Sequence, residues 1–299
     1  MTDKPYTLCF LGCGNLGAAI LDSLLSASNN ELPFTLFVAC VRSQQSQTKL
    51  AARFSEQLDR LTITKGDNVS AIRKSDVIIL GVDPVDIAKV LTQTGIREAL
   101  KDKLLISIAA GWTRQKLEQT IYESETTSEN TDGRAWVVRT LPNIAAQVSQ
   151  SLTAIEMSEP TPPDEYLQIT TAIFERIGRT VQIPPHLMNA TTAVGGSTPA
   201  FFAVICDAMI DAAVAVGVPR DLAHTMIFQS MQGTATMLQT GIHPALLKDQ
   251  GTSPEGCTIG GLMVMEEAGV RGHIGRALRE SVTLARLMET SSHVNDTRH

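Results

Sequence analysis

The chain lacks the features that mark several large classes of protein. Its 25 lysines and arginines are outnumbered by 31 aspartates and glutamates, giving a net charge of −6 and a pI near 5.5. Nucleic acid asks for a basic surface, so it is not an expected partner. No apolar run approaches the ~18 residues of a membrane span, so no membrane association is expected. The opening residues, MTDKPYTLC, have neither the basic nor the apolar region of a signal peptide. The five cysteines, at 9, 13, 40, 206 and 257, show no CxxC spacing. Cys9 and Cys40 fall in predicted strands and Cys206 in a predicted helix. Reduced core thiols in a cytoplasmic protein are therefore expected, with no disulfide framework and no metal site. What remains is a chain of 299 residues, 43% hydrophobic, ample for one large or two ordinary domains with a buried core.

The stretch that organises this chain is residues 7–17, TLCFLGCGNLG. The apolar run 8–11 predicts a short buried strand. It breaks into Gly12-Cys13-Gly14-Asn15-Leu16-Gly17 and then into AAILDSLL, which carries a helical apolar stripe. A bare GxGxxG is weak evidence, but strand, glycine turn and helix in that order make a dinucleotide fingerprint. Gly12 permits the tight turn, Gly14 keeps a Cβ away from a pyrophosphate, and Gly17 allows close packing of helix on strand. The free N–H groups at the helix start face the phosphates. The next strand, residues 34–41, ends in Arg42-Ser43, where a fold that prefers NAD usually places an acid. A guanidinium fork and a hydroxyl suit a 2′-phosphate, whereas a carboxylate would repel it. The expected cofactor is NADPH, with NADH as the alternative.

Further strands are predicted at 61–64, 76–82, 104–109, 135–141, 151–157 and 180–183, alternating with helices at 44–55, 85–91, after Thr113, and at 164–177. The polar stretch 123–133 predicts an exposed loop. This alternation is that of a doubly wound parallel sheet, in which ligands sit beyond the carboxyl ends of the strands. Those ends are Gly12 to Gly17, Arg42, Val82 to Pro84, Ala109 to Gly111 and Asn143, expected to gather around one dinucleotide.

From His186 only helices are predicted. Residues 199–216, PAFFAVICDAMIDAAVAV, are apolar around most of a helix, with Asp207 and Asp211 breaking the surface. Such a helix must be buried on all sides. With only about 110 residues in its domain, a second subunit is the expected cover. Asp207 and Asp211 share a face and read as a polar edge or interface pair rather than as a catalytic pair. Further helices are predicted at 221–238 and 244–248. The loop 251–261, GTSPEGCTIGG, leads into a helix beginning near Thr258. Its first N–H groups, around Gly256 to Thr258, offer a site for a small carboxylate, or else an ordinary helix start.

Together these residues resemble the pyrroline-5-carboxylate reductase family. The likeness runs from the glycine loop to about residue 287. It is carried by SIAAGW (107–112), RTLPNIAAQV (139–148), VGGSTPAFF (194–202), AVAVGVPRDLA (213–223) and, most specifically, HPALLKDQGTSPEGCTIGGL (243–262). The resemblance implies an N-terminal Rossmann-type domain (residues 1–183) and a C-terminal all-helical dimerisation and substrate domain (184–299), with homodimers that often assemble further. It implies a cofactor held by Gly12, Cys13, Gly14, Asn15, Leu16, Gly17, Arg42, Ser43, Asn68, Val82, Asp83, Pro84, Ala109 and Ala110. The substrate, a cyclic imine carboxylate, would sit on Ser253, Gly256, Cys257 and Thr258. Thr258 would be the catalytic hydroxyl, a hydrogen-bond partner of the ring nitrogen. The implied reaction is hydride transfer from NADPH to 1-pyrroline-5-carboxylate, closing proline biosynthesis.

Some positions depart from the family pattern. Val82-Asp83-Pro84 stands where VKP is common, and Ser253-Pro254-Glu255-Gly256 where SPGG is common. Thr198 replaces the second glycine of GSGPA, and Pro142-Asn143-Ile144-Ala145 replaces PNTP. An anion near the cofactor and another beside the carboxylate turn make a reductase of a substituted or larger-ring imine the alternative reading. A dinucleotide-binding sensor without catalysis is a third.

Overall fold

A computed structural model describes residues 5–27 and 32–290. Eight strands form one sheet in the order β3-β2-β1-β4-β5-β6-β7-β8. In chain order they are β1 Tyr6–Leu11, β2 Phe34–Val41, β3 Leu61–Lys65, β4 Val77–Leu80, β5 Leu104–Ser107, β6 Trp136–Leu141, β7 Ser151–Glu156 and β8 Gly178–Ile183. The strands β1, β4 and β5 carry continuous apolar runs, buried to 0% exposure from Leu8 to Leu11, Val77 to Leu80 and Leu104 to Ile106. Such runs suit a sheet covered on both faces. Alternate residues of each strand feed opposite layers. Leu8 and Phe10 pack with α1 (Asn15–Leu25) and α7 (Asp164–Glu175), whereas Cys9 and Leu11 pack with α3 (Asn68–Arg73), α4 (Ile87–Leu91), α5 (Ile96–Ala99) and α6 (Arg114–Tyr122). The remaining helix of this region, α2 (Gln44–Arg53), follows β2 and is capped by Ser43, whose hydroxyl accepts from Ser46 N.

The sheet is not wholly parallel, which corrects the expectation. Strand β7 runs antiparallel to β6, pairing Thr140 with Ile155 and Leu141 with Ala154, before β8 returns parallel to β7. The link between β6 and β7 holds only a 3₁₀ turn, Ile144–Val148. A parallel crossover needs about a dozen residues or more, usually with a helix. Element ends also differ from the predicted spans. The expected helix 85–91 is a 3₁₀ turn, Pro84–Asp86, followed by α4.

The chain divides into two compact units. One comprises the residues up to Gly196 together with those from Val282, and the other Ser197–Ser281. The first compact unit reaches Gly196 because the turns that follow β8 are tied to the sheet. Met188, in α8 (Met188–Thr191), is buried with Ala154 and Ile183, and Asn143 Nδ2 donates to Gly195 O at 2.7 Å. The last turns of α13 (Val270–Thr290) join the first unit through a buried charge cluster. Arg139 donates to Glu156 at 3.3 Å and to Glu289 at 2.9 Å, and Asn189 donates to the other oxygen of Glu289 at 2.8 Å. Removing one member of such a set strands a buried charge, so it fixes geometry more than it adds stability.

The second unit holds α9 (Thr198–Ala215), α10 (Arg220–Gln239), α11 (Pro244–Gln250), α12 (Cys257–Glu267) and the start of α13. Within one chain α9 buries only Cys206 and Ile210. Phe202 is 50%, Val204 70% and Phe228 54% exposed. The expected burial of α9 on all sides is thus not met by its own chain. Asp211 pairs with Arg220 at 2.7 Å on the surface, as an edge residue does. The continuous helical stretch 185–215 is long and apolar enough to cross a membrane, by length and composition only. That corrects the expectation that nothing reaches spanning length: its interruptions are small and hydroxyl residues more than charges.

Candidate active site

The strand order reverses direction at β1, between β2 and β4, and ligands of open α/β sheets bind at that switch point. A cleft of about 400 Å³ lies there. Of the predicted cofactor residues, Gly12, Cys13, Gly14, Arg42, Asn68, Val82 and Asp83 line it. Asn15, Leu16, Gly17, Ser43, Pro84, Ala109 and Ala110 do not. Asn15 to Gly17 form the first turn of α1, which has no side-chain cap and no acid. Its N–H groups are therefore available to an anion. The Ser43 hydroxyl oxygen also accepts from Ser46 N as the cap of α2. Pro84 O accepts from Trp112 Nε1 at 3.0 Å, a packing role. Ala109 and Ala110 follow β5, and Asn143 is spent on Ala145 N and Gly195 O, so the ends of β5 and β6 stand outside this cleft.

The glycines divide by what surrounds them. Gly12 has φ +85, and a Cβ there would lie 2.5 Å from Val82 N. At Gly17 a Cβ would meet Gly12 O at 3.2 Å, the close helix–strand approach expected of it. At Gly14 a Cβ would meet no protein atom within 4 Å. Protein packing therefore does not require glycine at 14, which fits a residue kept clear for a ligand. These features fit a dinucleotide pyrophosphate.

Residues that sequence reasoning missed complete the wall: Cys40, Ser46, Gly66, Asp86, Lys89 and Gln93 among them. Arg42 Nη1 donates to Asp86 Oδ2 at 2.8 Å, and Asn68 Nδ2 to Gln93 Oε1 at 3.1 Å. Two of the lining residues are thiols, and their surroundings act on them in opposite directions. Burial pushes the Cys13 thiol up to about 12. Cys40 is instead lowered by the hydrogen bond from Cys9, with Thr64 Oγ1 3.4 Å away, while Cys9 is raised.

Ser253, Gly256, Cys257 and Thr258 belong to the second unit. Gly256 is the N-cap of α12, with no side-chain cap bond, and Thr258 is the second residue of the helix. A Cβ on Gly256 would meet Ser253 Oγ at 2.5 Å and Ser253 O at 3.1 Å, so a larger residue there would have to turn the Ser253 hydroxyl away. The Thr258 hydroxyl has no hydrogen-bond partner among the described residues. Glu255, beside this turn, holds a left-handed φ of 58, a conformation that glycine adopts without strain.

A family model described as pyrroline-5-carboxylate reductase dimerisation matches residues 185–288, and one described as NADP oxidoreductase, coenzyme F420-dependent, matches residues 7–111. A pyrroline-5-carboxylate reductase of Lophium arboricola is 42% identical over 94% of this chain and 93% of its own length. The chain belongs to the pyrroline-5-carboxylate reductase family. A second member, from Neurospora crassa, is 38% identical over 100% of this chain and 98% of its own. The fold agrees with a pyrroline carboxylate reductase structure from Plasmodium falciparum solved with NADP bound. That match has a TM-score of 0.78 at 24% identity and covers 95% of this chain and 98% of the other. This family member is thus an oxidoreductase with a Rossmann-type NADP domain that contains the cleft and a helical dimerisation domain that contains Thr258.

Proposed function

We propose that this reductase acts on 1-pyrroline-5-carboxylate itself, giving L-proline, in the cytoplasm and as a homodimer. The full-length identity of 42% to the Lophium enzyme carries the reading. Bound NADPH supplies the hydride. The rest is done by the chain. The Gly12–Gly14 turn and the free first turn of α1 receive the pyrophosphate, with Arg42, Asn68, Val82 and Asp83 lining the same cleft. Leu16 belongs to that first turn, and Ser43, Pro84, Ala109 and Ala110 follow or flank the strand ends beside it. The uncapped first turn of α12, at Gly256 and Cys257, takes the substrate carboxylate, with Ser253 beneath it. The unpartnered Thr258 hydroxyl hydrogen-bonds the ring nitrogen. A protonated iminium accepts hydride better than a neutral imine, so that bond has to hold the nitrogen without removing its proton. Thr258 is a positioner rather than a strong acid, and most of the acceleration comes from aligning donor and acceptor carbons. The exposed faces of α9 and α10 support the homodimer. The free cysteines, four of them buried, suit a reducing compartment.

NADPH consumption with 1-pyrroline-5-carboxylate beside its six-membered and ring-substituted analogues tests the reading. A preference of about tenfold or more in kcat/KM for the five-membered unsubstituted imine is expected, the scale of one methylene in a fitted pocket. Preference for an analogue would favour the second reading. That reading rests on Glu255, whose carboxylate stands beside the carboxylate turn, and on Asp83 in the cleft. Tight NADPH binding without turnover on any imine would indicate the sensor.

A further inference from the structure

The cofactor cleft carries more charge than the fingerprint shows, and its charges are arranged. Arg42 directly follows β2, the position that reaches the ribose 2′ group in this fold. Its guanidinium is already committed on one edge. Asp86 Oδ2 sits 2.8 Å from Nη1, with the arginine side chain 86% and the aspartate 29% exposed. A pair this exposed adds little to stability. Its effect is electrostatic: it places a carboxylate beside Arg42, the arginine that lines this cleft.

Asp86 ends the 3₁₀ turn Pro84–Asp86, and Lys89 lies three residues on, in α4. Residues three or four apart on a helical turn share a face. Asp86, Lys89 and Gln93 all line the cleft, so this face of the β4–α4 segment forms its wall. Gln93 is occupied by Asn68. Lys89 Nζ has no hydrogen-bond or ion-pair partner among the described residues. With Arg42 offset by Asp86, Lys89 is the cation of this wall whose charge is not balanced by a neighbour.

We infer that Asp86 and Lys89 are specificity-determining residues for the dinucleotide. Lys89 draws the 2′-phosphate, and Asp86 weakens the draw of Arg42, so selection between NADPH and NADH rests on three side chains rather than on Arg42 alone. The inference rests on the proposal that this cleft holds the dinucleotide. A dianionic phosphate gains from Lys89 and loses to Asp86, whereas the uncharged 2′-hydroxyl of NADH is nearly indifferent to both.

The test is calorimetric or fluorescence titration of the full-length protein with NADPH and NADH, alongside kcat/KM for each with a saturating imine. Lys89→Met is expected to weaken NADPH about tenfold, the worth of one charge-assisted bond, and to leave NADH within about twofold. Asp86→Asn is expected to tighten NADPH about fivefold with NADH again unmoved, and the gain should shrink in an Arg42→Ala background. An NADPH:NADH ratio that stays within about twofold in Lys89→Met, or that is unchanged or falls in Asp86→Asn, overturns the inference while leaving the cofactor reading intact. If the unmodified protein binds neither nucleotide, the cofactor reading falls and the inference with it. Both substitutions are at solvent-facing positions, and a thermal midpoint equal to the parent's confirms that the fold is kept.

Discussion

Replacing Gly12 by alanine is expected to abolish NADPH binding and to destabilise the first unit by about 2–5 kcal/mol, the sum of left-handed strain and overpacking. Its φ of +85 already disfavours any Cβ, and the added methyl would lie 2.5 Å from Val82 N and 2.7 Å from both Val82 Cα and Cγ1. Nothing nearby can yield. Gly12 N and Cys13 N both donate to Cys40 O, at 3.2 and 3.1 Å, so the turn is pinned to β2 and cannot retreat from β4 without losing those bonds. Gly14→Ala separates stability from binding. Its Cβ meets no protein atom, so the chain should melt near the parent temperature while NADPH affinity drops by at least about tenfold through obstruction of the ligand. Nucleotide titration and thermal melts on the two variants would decide the matter. A Gly14→Ala protein with parental NADPH affinity would mean that the pyrophosphate does not lie where the turn places it.

Gly178→Ala is expected to be the most damaging small substitution in the sheet. Gly178 opens β8 opposite Ser151, with φ +148, and a Cβ there would fall 2.0 Å from Ser151 O and 2.5 Å from Ser151 N. Those are backbone atoms already in use. Ser151 N donates to Ile177 O at 2.8 Å, and Ser151 Oγ accepts from Asn143 N at 3.0 Å. Separating the strands at this point therefore also loosens Asn143, which holds Gly195 O. A loss above about 4 kcal/mol is expected, seen as little soluble protein or a large fall in the melting temperature. A variant that melts within about 2 °C of the parent would show that β8 does not lock at Ser151.

The sheet was legible in the sequence because fully buried parallel strands are written as uninterrupted apolar runs, and DVIILGV and LLISIA can be little else. The glycine turn was legible for the same local reason. What stayed hidden depended on contacts between distant segments. The direction of β7 turns on a short link rather than on its own residues. Ser43 reads as a phosphate hydroxyl, and its second task as the cap of α2 shows only in the structure. Asp86, Lys89 and Gln93 have no sequence signature as cleft residues, because only the fold of the segment after β4 brings them to the wall. The apolar circumference of α9 was readable, and the structure adds that its own chain leaves that surface uncovered.

That uncovered surface has a consequence wherever two versions of the chain are made together. If a second copy covers it, the two versions share their assemblies. A chain damaged only in the dinucleotide cleft would keep Phe202, Val204 and Phe228 and would still enter assemblies with intact chains. If each subunit worked alone, such mixing would be silent. If neighbouring subunits depend on one another, the damaged version would lower the activity of more than its own share of the protein.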